Sequence, residues 1–337
     1  MAKENTAIIT GGLGFIGSHF IELLLEKGLS VVNIDKVTYA SDPNINKIFL
    51  RKYPEKYSFI KKDINDLKDL PDAKYLVHFA AESHVDNSIK DGSIFVKSNV
   101  LGTQNLLSII AEKYDSTKLP QDKKPVFIHV STDEVFGDRE DGFFKEDDIM
   151  RPSNPYAASK AAAEMLVIAY GRTYNIPYKI TRTTNNYGSR QHPEKLIPRS
   201  IVNVLQNIPI PIHGGGEQIR NWIHVKDNCR AIYDVMIKGK LGGSYHIASE
   251  EELSVNQIVK IILDAFEKSW SPETVKYVSD RSGQDVRYAL DSSKIRQLGW
   301  RPQDSLKQHI GKLIYKYSGK YQKKNFVSLI ANRLIWP

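Results

Sequence analysis

The 337-residue chain is 41% apolar and 26% charged, the balance of a globular protein long enough to bury a large core and to divide into one large α/β unit and a smaller lobe. Its single cysteine, Cys229, excludes an internal disulfide framework. No run reaches the roughly 18 apolar residues of a membrane span and nothing of signal-peptide length precedes the first glycines, so a cytoplasmic location without stable membrane insertion is expected.

Along the chain, short β-branched runs alternate with helical patterns. TAIIT (6–10) is a strand, and Phe15 to Lys27 is a helix stopped by Gly28. SVVNID (30–35), YSFIKKDI (57–64), YLVHFA (75–80) and PVFIHVST (125–132) are further strands, with a helical stretch from Val96 to Lys113 between the last two. Asn154 to Tyr174 is a helix with Pro155 near its start, followed by the strand YKITRT (178–183). This alternation predicts an α/β protein built on a Rossmann-like, doubly wound parallel sheet with helices on both faces. After Thr184 the prolines and glycines crowd together. GSYHIA (243–248) then returns to the sheet, and Ser254 to Lys268 is helical. The expected division is a dinucleotide-binding domain over 1–187 with return segments near 220–247, and a smaller C-terminal α/β lobe over 188–219 and 248–337.

The net charge of +8 is uneven: residues 301–337 hold eight Lys/Arg against one acid. That tail reads as a solvated helix face, and its end, FVSLIANRLIWP, as an oligomer contact. The remainder is nearly neutral, so no nucleic-acid partner is expected.

Between the first strand and helix lies Thr10-Gly11-Gly12-Leu13-Gly14-Phe15-Ile16-Gly17. Glycines at 11, 14 and 17 suit a tight turn, close approach to a pyrophosphate and close helix–sheet packing, with Phe15 and Ile16 opening a helix whose N-terminus faces the phosphates. Asp35 ends the second strand. An acid there accepts hydrogen bonds from ribose hydroxyls and repels a 2′-phosphate, which favours NAD over NADP; Lys36, next to it, softens that choice. Asp63 and Ile64 follow the third strand, where they would meet the adenine. Tyr156 and Lys160 stand four apart on one helix face. A neighbouring ammonium is expected to lower the phenol pKa, making Tyr156 a base for a hydroxyl proton. Ser131-Thr132-Asp133-Glu134 follows a strand at the sheet's ligand edge. Its two acids could be a solvated loop or could divide acid and base work.

TGGLGFIG, VVNIDKVTYA, AAESHVDNSI, STDEVFG, NPYAASKAAAE, TNNYG, HPEKLIP, IRNWIHVKDN and DRSGQDVRYALD together resemble the dTDP-glucose 4,6-dehydratases, of the extended short-chain dehydrogenase/reductase superfamily. The resemblance implies NAD as cofactor and a nucleotide-diphosphate sugar as substrate. Tyr156, aided by Lys160 and Thr132, would take the sugar 4-hydroxyl proton, Glu134 the C5 proton, and Asp133 would protonate the departing 6-hydroxyl. Thr38, Ala80, Ala81, Ser83 and Asn99 would join the residues that hold NAD. On the substrate side, Ser83, His84, Asn185, Glu194, Lys195 and Leu196 would approach the sugar or diphosphate. Pro211 and His213 would lie toward the base, and Arg220 and Arg281 would pair with the diphosphate. The helices over 96–113 and 154–174 resemble a dimer bundle, which implies a homodimer.

The chain departs from the family in its lobe. His213 replaces a tyrosine, Val255 a base-side asparagine, His246 and Ala248 an Asn and a Gly, and Ser282 and Gln284 a Pro and a His. These changes leave the reaction type alone and open the base to dTDP, UDP or GDP, on glucose or an N-acetylated sugar. The competing readings are a sugar-nucleotide 4-epimerase, which has no need of Asp133 and Glu134, and a non-catalytic NAD-binding protein.

Overall fold

The structure is a computed structural model that describes residues 5–114, 123–280 and 285–321. Its strands, in chain order, are β1 (Thr6–Thr10), β2 (Ser30–Asp35), β3 (Tyr57–Lys61), β4 (Tyr75–His78), β5 (Val126–Thr132), β6 (Tyr178–Thr183), β7 (Asn185–Tyr187), β8 (Ile210–His213), β9 (Ile219–His224), β10 (Ser244–Ile247), β11 (Glu252–Ser254) and β12 (Val275–Val278). Seven of them form one sheet in the order β10-β6-β5-β4-β1-β2-β3, every pair parallel. The strand order reverses between β1 and β4, and a ligand crevice opens beyond the carboxyl ends at such a point.

The strands are apolar because both faces are covered. On one face, Phe20, Ile21 and Leu24 of the helix Phe15–Glu26 pack with Ile232, Val235 and Met236 of the helix Val225–Lys238. On the other, Leu106, Leu107 and Ile110 pack with Val167 over Ile8, Phe127 and Ile180. Those residues come from two adjacent helices. One runs from Ser93 to Lys113 through a π-helical turn at Val96–Leu101; the other is Pro155–Tyr174.

The lobe has its own core, in which Ile197 and Ile201 meet Ile258, Ile262, Leu306 and Leu313. Between 220 and 247, the helix packs on the main sheet and β10 joins it. β9 instead pairs with β7 and β11 in a three-stranded sheet, and β8 pairs with β12. Among the described residues, no helix is long and apolar enough to cross a membrane.

Candidate active site

One continuous cavity runs along the carboxyl edge of the sheet, from the glycine turn past Ser83 to Thr132, Tyr156 and Lys195. At its first end, Gly11 has φ +71°, and a Cβ there would lie 2.6 Å from the Ala80 amide nitrogen. A Cβ on Gly17 would strike the Gly11 carbonyl oxygen, and one on Gly14, which also lines the cavity, would press on the same atom at 3.3 Å. Gly14 caps the helix with no side chain bonded to its first turn, so the free N–H groups of Phe15, Ile16 and Gly17 are available to an anion. This is a cradle shaped for a pyrophosphate.

Asp35 is buried beside the cradle. One carboxylate oxygen accepts from the Leu13 amide (2.9 Å), the other from the Val37 amide (2.7 Å) and the Ser41 hydroxyl (3.3 Å). The carboxylate is thereby fixed in place with lone pairs left for ribose hydroxyls. Lys36 turns to Asp63 (3.6 Å) and Glu82 (3.7 Å), and Thr38, Ile64, Ala80 and Ala81 complete this end of the wall.

At the other end, β5 delivers Thr132, and a 3₁₀ turn delivers Asp133 and Glu134. The Thr132 hydroxyl donates to Asp133 Oδ1 (3.1 Å) and accepts from the Glu134 amide (3.3 Å). Burial, reinforced by the charge of Glu134, pushes the Asp133 carboxyl up to about 7. Burial also raises Glu134, opposed by the Asn154 carboxamide, which donates to Glu134 Oε2 (3.3 Å). The acids are part of the cavity wall, so the solvated-loop reading does not hold.

Tyr156 and Lys160 project from the first turns of the helix Pro155–Tyr174 into the same wall. The expected electrostatics are not what the geometry produces. Burial, followed by the charges of Glu134 and Asp133, pushes the Tyr156 phenol well above its ordinary value, and the group working downward on it is the Thr132 hydroxyl. Lys160 donates to the Val130 carbonyl (2.8 Å), and burial lowers its ammonium to about 8. An ammonium committed to a carbonyl and costly to bury is a weak source of phenolate stabilisation.

Beyond the acids, Asn185, Glu194 and Lys195 close the wall with Ser83. Lys195 Nζ donates to the Ser83 carbonyl (2.9 Å), and Glu194 lies 3.8 Å from His84 Nε2 and 3.6 Å from His192 Nδ1. Asn99 lies behind the wall rather than on it. Its carboxamide accepts from the Glu82 amide (2.8 Å) and donates to the Glu82 carbonyl (3.0 Å) and Ser159 (2.8 Å), which pins the loop that carries Ala80 to Ser83.

The lobe residues lie farther out. Leu196 opens the helix Leu196–Leu205 against the lobe core. Pro211 pairs with Lys276 across β8 and β12, and His213 Nδ1 lies 3.1 Å from the Ser279 carbonyl. Arg220 stacks 4.2 Å over the Tyr288 ring and donates to the carbonyls of Ile219 (2.7 Å), Asp285 (2.8 Å) and Val286 (3.2 Å). Its charge is felt at both Asp133 and Glu134. Val255 starts a helix on the lobe core, while the next carboxamide, Asn256, holds the Gly215 carbonyl (2.8 Å). His246 is fully buried against Arg182 and Phe144, and Ala248 is also buried. Arg281, Ser282, Gln284 and the segment FVSLIANRLIWP lie outside the described residues.

A family model for GDP-mannose 4,6 dehydratase matches residues 8–313. The low-salt glycan biosynthesis protein Agl12 of Haloferax volcanii is 42% identical over 317 residues, 93% of this chain and 98% of its own. The dTDP-glucose 4,6-dehydratase of Haemophilus influenzae is 43% identical over 335 residues, 92% of this chain and 97% of its own. The chain belongs to the dTDP-glucose 4,6-dehydratase family. The dTDP-glucose 4,6-dehydratase DesIV of Streptomyces venezuelae, solved with NAD, superposes with a TM-score of 0.85 at 38% identity, over 94% of this chain and 97% of its own. A Bacillus cereus UDP-glucuronic acid 4-epimerase reaches the same TM-score of 0.85 at 27% identity, over 94% of this chain and all of its own. Shape alone therefore does not separate dehydration from epimerisation, and the acid pair has to.

Three residues of this family member's site escape sequence reading. Asn154 both caps the helix Pro155–Tyr174, accepting from the Ala157 amide (2.9 Å), and holds Glu134; the signal was an Asn directly before a helix-starting proline. Ser41 fixes Asp35 from six residues on. Glu164, fully buried one turn after Lys160, pairs with Arg182 at 2.8 Å, a contact across 18 positions that no local pattern marks.

Proposed function

We propose that this chain is an NAD-dependent hydro-lyase that converts a dTDP-linked hexose, dTDP-glucose first, to the 4-keto-6-deoxy sugar nucleotide. The observation that carries the proposal is the pair Asp133 and Glu134 beside Tyr156 on one cavity wall, with the Asp133 carboxyl held up near 7. An epimerase has no use for a buried acid that keeps its proton near neutral pH.

The Gly11–Gly17 cradle would hold the NAD pyrophosphate and Asp35 the ribose hydroxyls. When bound, NAD supplies the hydride acceptor at C4 and the donor at C6 within one turnover. The chain supplies position and proton transfer. Tyr156, acting as the phenolate that the Thr132 hydroxyl favours, takes the 4-hydroxyl proton and becomes the phenol. Glu134, held by Asn154, takes the C5 proton once the adjacent carbon is a ketone. Asp133 gives its proton to the departing 6-hydroxyl, which leaves as water. Lys195 and Arg220 offer positive charge toward the diphosphate side. Neighbouring carboxyls with different environments are suited to opposite roles.

The enzyme is proposed to work as a homodimer in the cytoplasm. Support for the dimer is the outward face of the helix pair, where Ile94, Val96, Leu101 and Met165 are each about half exposed. The test of the reaction is incubation of the purified protein with dTDP-, UDP- and GDP-linked glucose and N-acetylglucosamine, followed by mass spectrometry. Loss of one water from the dTDP-glucose, without net NADH, is the expected result. Loss from a UDP or GDP sugar instead would reassign the base. Unchanged mass with an inverted C4 centre would overturn dehydration.

A further inference from the structure

Away from the cavity, β9 ends at His224, which caps the helix Val225–Lys238. The start of the helix Leu306–Tyr321 meets it there, bringing Asp304 and His309. We propose that His224, Asp304 and His309 form a binding site for one first-row divalent cation of the zinc class, bracing the end of β9 against the C-terminal helix of the lobe.

The donor set is two imidazoles and one carboxylate, whose ligand atoms all lie within 4.8 Å of one another. His224 Nδ1 is 3.4 Å from Asp304 Oδ2, and His309 Nε2 is 2.7 Å from Asp304 Oδ1. Ligands about 2.0–2.2 Å from a tetrahedral ion stand roughly 3.3–3.6 Å apart. The first edge already has that length. The second has the length of a shared proton, and replacing the proton with an ion opens it by less than about 1 Å. The two rings stack with centroids 4.0 Å apart, so the better exposed His309 has to tilt to aim its lone pair at the ion.

His224 supplies the second observation. Its ring is 4% exposed, and its Nδ1, sealed from solvent, has no hydrogen-bond partner. A buried imidazole nitrogen left unpaired beside a carboxylate is costly unless a cation or proton joins them.

The surroundings hold the carboxylate in place. Buried Asp227 accepts the amides of Gln303 (3.0 Å) and Asp304 (2.9 Å). Arg230 opposes a cation, with NH1 3.9 Å from Asp304 Oδ2, but its other nitrogen is paired with Asp227. Asp304 and His309 keep 23% and 17% of their side chains exposed, which leaves the fourth position to water. Imidazole and carboxylate together suit zinc, cobalt or nickel better than magnesium or calcium.

The test uses the full chain, stripped with chelator and dialysed against Zn²⁺ or Co²⁺. One equivalent of metal is expected, with the visible absorption of tetrahedral Co²⁺ and a melting temperature that rises with metal concentration. Asp304→Asn and, at the more exposed helix position, His309→Gln should each weaken binding at least a hundredfold. Dehydration by the stripped protein should be unchanged, since none of the three residues borders the cavity. No stoichiometric metal in the parent protein, or an equivalent retained in both variants, would overturn the site.

Discussion

Asp133 is the residue at which burial becomes chemistry. A carboxyl with an ordinary value near 3.8 is held up to about 7, so it retains its proton where a surface aspartate has lost it. A general acid works only in its protonated form. Turnover should therefore fall as pH rises through about 7, and this limb should be absent in Asp133→Asn, measured as kcat against pH. The variant should lose roughly 10²–10⁴-fold in turnover, the range for removal of one acid–base group. The same shift carries a stability cost of known sign. The folded value lies above the unfolded one, so the folded state is penalised progressively between about pH 4 and 7 and fully above that. Asp133→Asn removes the penalty, worth on the order of a few kcal/mol. Its melting temperature should exceed that of the parent protein at pH 8, with the gap closing near pH 4. An equal gap at both pH values would mean that the Asp133 carboxyl does not carry the raised value.

At the scale of elements, the helix that carries Tyr156 and Lys160 is set by its N-cap. Asn154 uses its oxygen to cap the helix and its nitrogen to hold Glu134. Asn154→Asp retains the cap, since both residues cap well, but turns the donor into a second carboxylate. Melting should shift little, while turnover falls at least tenfold and the rate's dependence on Glu134 ionisation moves to higher pH. A large loss of stability would instead make the cap itself sensitive to charge.

The main-sheet strands were readable because a parallel sheet buried on both faces favours β-branched, largely apolar runs, as in TAIIT. The glycine cradle and the Tyr156/Lys160 pair were readable because their spacing is local. Partners distant in sequence were not. Lys160 finds the Val130 carbonyl, Asn99 finds Glu82, and β9 leaves the main sheet for β7 and β11. Each outcome is decided by tertiary contact, and the π-helical turn at Val96–Leu101 that seats Asn99 has no period to announce it.

For the whole molecule, the decisive surface is the outer face of the helix pair. On the helix Pro155–Tyr174, the exposed positions between Ala158 and Ala169 are Ala158, Ala162, Met165 and Ala169, and the acid and base of that stretch, Glu164 and Lys160, are buried; Arg172 is exposed one turn further on. The neighbouring helix exposes Ile94, Val96 and Leu101, together with Lys97 and Gln104. An exposed apolar patch on a helix pair is a surface that a partner can cover favourably. Small residues along one helix let a second copy approach closely, and a twofold arrangement would build a four-helix bundle from two identical pairs. Tyr156 and Lys160, which line the cavity, sit on the inner face of this same helix, so association would stiffen the cavity wall from behind. A Val96→Lys, Met165→Lys double variant places two charges per copy at the centre of that face. Sedimentation at micromolar concentration should show the parent chain as a dimer and the variant as a monomer, with turnover reduced in step with the monomer fraction. A monomeric parent chain, or a variant that stays dimeric, would place the contact elsewhere and leave the apolar face to a different partner.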